Sequence, residues 1–194
     1  MTDKDNLMLV REEAISFRKN HSVSECFDTA LELYQSSYFQ IQTIGVFLCG
    51  YIATKRADAL SFLKDTVSIH PNWKVQEVLA MAFDAFCKEN GYKESVPIMR
   101  EWISCNNANT RRAVTEGLRI WTSRPYFKDY PEKAIELITL LKADESEYVR
   151  KSVGNSLRDI SKKHPELVKA ELSNWNISSK RVTQVYKLAG KLVI

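Results

Sequence analysis

The chain has 194 residues, 44% of them hydrophobic, and a formal net charge of +4. That length suits one domain with a continuous core, and six Gly and five Pro are too few for the turns of a many-stranded sandwich or barrel. The mild net charge names no partner by itself. Residues 1–14 lack an apolar signal core, so secretion is not expected. Further along, "YFQIQTIGVFLCGYIA" is the longest apolar stretch, too short to span a bilayer and interrupted by Gln40, Gln42 and Thr43. It pairs with "ADALSFLKDTVSI" as an early helical hairpin. Turn chemistry then breaks the helical periodicity at His70, Glu89, Cys105, Ser123, Ala143, Lys162 and Asn174. Between the breaks lie helix pairs over 72–105, 106–144 and 145–175, and a partial copy, "KRVTQVYKLAGKLVI", closes the chain. Cys26, Cys49, Cys87 and Cys105 are scattered inside apolar helical patterns with no zinc-type spacing, so they read as reduced core thiols. His21, His70 and His164 are far apart in sequence, and neither a metal nor a cofactor is expected. The expectation is a single all-α domain over 1–194, cytoplasmic and monomeric.

One helix is written twice. Setting Thr110 over Val149, 39 residues later, aligns Arg111 with Arg150, Arg112 with Lys151, Val114 with Val153, Leu118 with Leu157, Arg119 with Arg158 and Trp121 with Ile160. A period of that size signals stacked helical hairpins, each burying its apolar face only against its neighbours. At 3.6 residues per turn, Val114, Leu118 and Trp121 form a core side, as do Val149, Val153, Leu157 and Ile160. Arg112, Glu116 and Arg119 fall on another side, matched by Lys151, Asn155 and Arg158, so equivalent cations form a basic stripe. Arg111 and Arg150 sit beside the core face, placed to pack their stems there with the guanidinium groups reaching outward. From Glu145 onward ten basic residues face five acidic ones, an asymmetry that favours a polyanionic partner.

The same register in "NWKVQEVLAMAFDAF" puts Glu77 where Arg112 and Lys151 stand, and Asp84 where Arg119 and Arg158 stand. The stripe changes sign there, and Trp73 lies one turn before Glu77 on the same face. Two readings stay open. Glu77 is a surface ion-pair partner of Lys74 or Arg112 with Trp73 capping a hairpin, or the pair holds a cationic group while arginines grip phosphates.

"RRAVTEGLR" followed by "SEYVRKSVGNSLRDISKKHPELV" resembles the signature of the HEAT-like-repeat DNA glycosylases of the AlkC/AlkD superfamily, the DNA alkylation repair enzymes; the resemblance runs over about residues 72–175. It implies a right-handed α-α superhelix whose concave basic face wraps duplex DNA and excises positively charged N-alkylated purines without a cofactor. It also implies catalytic roles for Trp73 and Glu77 and a family arginine corresponding to Arg111 or Arg112; together with the repeated register, it makes Arg111, Arg112, Arg119, Arg150, Lys151 and Arg158 the expected DNA contacts. The family's AlkD-type carboxylate is Asp, whereas this chain has Glu. An N-alkylated purine is already a charged leaving group, so the transition state resembles an oxocarbenium ion that a carboxylate stabilises and an aromatic face attracts. A repeat protein of the same fold that binds DNA without hydrolysis, or a scaffold for acidic protein partners, fits the same repeats.

Overall fold

The computed structural model describes residues 3–194, with side chains from Leu7 onward. All regular structure among them is helical: α1 (Asp3–Asn20), α2 (Val23–Tyr34), α3 (Phe39–Ile52), α4 (Ala57–Asp65), α5 (Trp73–Asn90), α6 (Val96–Ile103), α7 (Ala108–Gly117), α8 (Pro125–Asp129), α9 (Pro131–Thr139), α10 (Glu147–Ser161), α11 (Pro165–Ser173) and α12 (Lys180–Ala189), plus three short 3₁₀ turns. No helix among the described residues is long and apolar enough to cross a membrane. The boundaries fall at the turn residues read from the sequence. Asn72 and Asn107 cap α5 and α7 by accepting the backbone N–H of Lys74 and Asn109. Ser22 and Glu25 form a reciprocal capping box on α2, and proline opens α8, α9 and α11, where its missing N–H costs nothing.

The helices gather into two compact units, Met1–Gly91 and Tyr92–Ile194. In the first, α3 is the central element, packed against α1, α2 and α5. Two glycines permit this. A Cβ on Gly45 would stand 2.5 Å from the carbonyl oxygen of Ala30, and one on Gly50 would stand 2.7 Å from the Cα of Ala82, so helix backbones touch where no side chain fits. Gly91, at φ 94°, ends the unit in a conformation that disfavours any other residue.

In the second unit α7, α10 and α12 pack side by side, with α6 against α7 and with α9 and α11 against α10. Val114, Leu118, Val153 and Leu157 are all fully buried, as the repeat register requires. Small polar residues line the α7–α10 seam: Thr115 Oγ1 lies 2.6 Å from Ser152 Oγ, and Ser156 Oγ donates to the Thr115 carbonyl. The two copies are unequal in length. The pattern read α7 as running through Trp121, but the helix stops at Gly117, where a residue without Cβ weakens the last turn. Trp121 nevertheless reaches the core from a 3₁₀ turn, edge-on to Phe127 with ring centroids 4.6 Å apart. Trp102 and Trp175 are buried too, as are Cys26, Cys49 and Cys87, none of them in a disulfide; Cys105 is half-buried.

One device recurs in both units. The residue four positions after the cap of α5, α7, α10 and α12 turns back to donate hydrogen bonds to carbonyls of the preceding loop. Gln76 donates its Nε2 amide to the carbonyls of Val67, Ser68 and His70. Arg111 Nη1 donates to Cys105 and Asn106, and Arg150 Nη1 to Asp144 and Glu145. Thr183 Oγ1 donates to Ile177.

Candidate nucleic-acid interface and active site

The predicted acidic pair lies in the first unit, at the start of α5. Asn72 fixes where the helix begins, and that places Trp73 at its first position and Glu77 one turn later. Trp73 is 62% exposed, whereas Trp102, Trp121 and Trp175 are buried. Glu77 is also exposed, and among the described residues no hydrogen bond or ion pair engages its carboxylate. Both residues line a shallow pocket of about 80 Å3, walled by Phe39, Gln40 and Thr43 of α3, by Leu7 and Val10 of α1, and by Lys74 and Val78 of α5. The lining is mainly apolar, with a polar rim from Gln40, Thr43 and Glu77. Small-molecule sites usually exceed about 300 Å3, so this pocket has room for a small group against the indole and not for a whole nucleoside. Asp84, the other acidic residue of the register, is half-buried and engaged by neighbouring groups.

The six predicted basic residues lie in the second unit, and the structure sorts them into two kinds. Arg111 is bound inward. Its Nε and Nη2 grip Asp144 in a two-pronged pair at 2.6 and 2.8 Å, Nη1 serves the loop carbonyls, and the side chains of the pair are 13% and 4% exposed. Burial pushes the Asp144 carboxyl up, but the Arg111 hydrogen bonds, the Ser146 backbone N–H and the Arg111 charge outweigh it and hold the group below its ordinary value. The hydrogen bond to Asp144 likewise raises Arg111, against a smaller desolvation effect. Arg150 is committed in the same way, with Nε on Gln184 Oε1 at 2.8 Å and Nη1 on the loop. The sequence grouped both with the outward-reaching cations. Their donors instead close loops, because the position beside the core face is also within reach of the preceding turn's carbonyls.

The remaining four lie at the outer positions of the register, each with a different degree of pairing. Arg112 stands 3.9 Å from Glu116, one turn along α7. Arg119, just past the end of that helix, is 4.0 Å from Glu116 and donates from Nε to Asp159 at 3.2 Å. Lys151 pairs with Glu147 at 2.7 Å, which raises the lysine and lowers the glutamate through their shared hydrogen bond. Arg158 is half-buried and has no ion-pair partner among the described residues. The pairs to Glu116 and Glu147 follow i,i+4 or i,i+3 spacing, so they were legible in the sequence. Phe39 and Thr43 were not, because nothing local reveals that α3 packs on the first turn of α5.

The family model for the DNA alkylation repair enzyme matches residues 8–185. The chain belongs to the DNA alkylation repair enzyme family. Within it, the crystal structure of AlkD2 from Streptococcus mutans is 53% identical and superposes with a TM-score of 0.94, over 96% of this chain and 89% of that one. An Enterococcus faecalis protein described as a predicted DNA alkylation repair enzyme shares the fold at 14% identity, TM-score 0.74, over 100% of this chain and 86% of that one. So does the Pseudomonas fluorescens alkylpurine DNA glycosylase AlkC, solved bound to DNA containing an abasic site analog, at 22% identity, TM-score 0.55, over 96% of this chain and 62% of that one. A curated relative, the uncharacterized protein YhaZ of Bacillus subtilis, is 41% identical over 78 residues, 38% of this chain, and the match spans about a fifth (22%) of the relative's length. These likenesses assign the chain the all-helical HEAT-like repeat fold expected from its sequence.

Proposed function

We propose that this DNA alkylation repair protein binds duplex DNA along the basic side of its repeats and hydrolyses the N-glycosidic bond of positively charged N-alkylated purines, without a cofactor. The observation that carries the reading is the Glu77 carboxylate: exposed, unpaired among the described residues, and one turn from an exposed indole on the wall of the same pocket. A surface ion-pair partner would have its counter-ion; a group waiting for developing positive charge would not. In this reading Glu77 stabilises the oxocarbenium-like sugar and orients water, and Trp73 presents a π face to the sugar or base. The pocket's small volume suits a reaction at an exposed backbone edge better than one that swallows a flipped base. Arg112, Arg119, Lys151 and Arg158 serve as phosphate contacts, with Arg111 and Arg150 holding the loops beneath them.

The alternative, a repeat protein that binds DNA without hydrolysis, draws support from the carboxylates spread through the stripe. Glu116, Glu147 and Asp159 offset most of its charge, which suits weak, exchangeable phosphate contacts better than a tightly gripped substrate. Incubation with methylated duplex DNA separates the two: release of methylpurine above the spontaneous rate supports hydrolysis, and release at the spontaneous rate by a protein that still binds the duplex supports the alternative.

A further inference from the structure

Of the helices that pack side by side in the second unit, α7 and α10 offset their outer cations with acidic side chains and α12 does not. On α7, Glu116 approaches Arg112 and Arg119, and Asp159 of α10 accepts from Arg119; on α10, Glu147 holds Lys151. After Glu171 the chain has no further acidic side chain. Helix α12, packed along α10, carries Lys180, Arg181 and Lys187. Arg181 reaches back to Glu145 at 3.6 Å, while Lys180 and Lys187 are exposed and have no ion-pair partner among the described residues. The repeat register hides this, because it puts neutral Gln184 where Arg112 and Lys151 stand.

The two lysines border one feature. With Ser178, Thr183 and Gln184 they line an open hollow of about 420 Å3. Lys180, Gln184 and Lys187 follow i, i+4, i+7 spacing, which brings them to one face of α12 over roughly 10 Å of its axis. The ground between the lysines is fixed. Gln184 Oε1 accepts from Arg150 Nε at 2.8 Å and its amide also hydrogen-bonds Glu147, the partner of Lys151, so the hollow adjoins the α10 row of the stripe. The neighbouring loop is held by the Ser178 N–H on Asn176 Oδ1 and by Thr183 Oγ1 on the Ile177 carbonyl. The Ser178 hydroxyl itself has no hydrogen-bond partner among the described residues.

We propose that this hollow is a phosphate seat for the DNA backbone, and that it carries more of the salt-dependent grip than the outer cations of α7. The proposal rests on the duplex-binding reading and adds a contact region outside the repeated cations. Its physical basis is ion release. A phosphate neutralised by a protein cation sheds condensed counter-ions, which makes log affinity fall with log salt. Arg112 and Arg119 bring carboxylates with them, so they deliver little net charge and must exchange one partner for another. Lys180 and Lys187 each deliver a full charge with no pair to break, and a duplex lying on Lys151 reaches them across Gln184.

The test is the duplex affinity of the full chain measured against salt. Lys180→Gln with Lys187→Gln lowers the slope of log affinity against log salt by about two, and Arg112→Gln with Arg119→Gln lowers it by less than about one. Lys180→Arg with Lys187→Arg keeps the wild-type slope, since either cation neutralises a phosphate. The control is Lys163→Gln with Lys169→Gln, two exposed lysines just before and on α11, which removes the same charge and leaves the slope within about half a unit. All four lysines are exposed, so their variants keep the wild-type urea midpoint. An unchanged slope for the α12 variant, an equal drop for the control, or a larger drop for the α7 variant overturns the proposal while duplex binding itself stands. Polyglutamate bound as tightly as the duplex marks an acidic-protein surface instead and overturns it too. A wild type whose binding ignores salt removes the duplex reading, and the seat with it.

Discussion

The first turns of α5, α7 and α10 share one plan and serve it with different chemistry. Each begins at a polar cap, Asn72, Asn107 or Ser146, and four residues later a long polar side chain turns back to the preceding loop. That inner position changes from Gln76 to Arg111 to Arg150, yet its task is constant, because the loop carbonyls it satisfies recur in every repeat. The next position faces out and has no such task. There the chain places Glu77, Arg112 and Lys151, and the environments diverge: Glu77 is unpaired among the described residues, while Arg112 and Lys151 have glutamates one turn away. The comparison teaches that charge alone does not mark a binding residue in a repeat. Arg111 and Arg112 are neighbours in sequence, yet the first is committed to Asp144 and the loop carbonyls while the second lies at the outer position beside Glu116.

Breaking the inner position should cost the most. Removing Asp144 by Asp144→Ala strands the largely buried Arg111 guanidinium and is expected to destabilise the fold by about 3–5 kcal/mol, read as a lower urea midpoint. Gln76→Ala leaves buried carbonyls without a donor and should cost about 2 kcal/mol. Glu116→Gln, on the outer face, should cost at most about 1 kcal/mol; a larger loss than for Gln76→Ala would erase the distinction between the two positions. The Asp144 pair also gives stability a pH signature. A carboxyl held below its ordinary value contributes fully at pH values above that value and progressively less as pH falls through its folded pKa. The urea midpoint should therefore drop in acid below about pH 4, and Asp144→Asn, destabilised throughout, should lose that part of the acid dependence. The smallest effect is on the outer cations. Replacing Lys151 and Arg158 with Gln should leave the fold intact, weaken duplex binding with little sequence dependence, and lower the slope of log affinity against log salt by about one per lost phosphate contact. An unchanged slope would remove both residues from the interface.

Much of the fold was legible because a 3.6-residue apolar period, capping residues and proline act locally. The breaks at His70, Cys105, Ala143 and Lys162 fall between helices, and the Val114–Leu118 and Val153–Leu157 stripes became core. What depends on tertiary reach was not legible. Arg111 and Arg112 look alike in a helical projection; only the loop carbonyls and Asp144, 33 residues away, decide that the first points inward. The early end of α7 turns on Gly117, a residue that helices tolerate when packing favours it. Trp73 and Glu77 were found as a pair from their spacing, but the wall that Phe39 and Thr43 build against them comes from another helix.

The central claim is that the unpaired carboxylate of Glu77 serves developing positive charge. Methylpurine release from methylated duplex DNA should be measured for the wild type and for Glu77→Gln, which keeps size and hydrogen bonding and removes the charge. The account predicts release above the spontaneous rate by the wild type and about 10²-fold slower release by Glu77→Gln, the scale of losing one preorganised electrostatic group, with duplex binding unchanged or tighter. Equal release by the two proteins, or release by neither above the spontaneous rate, would contradict it.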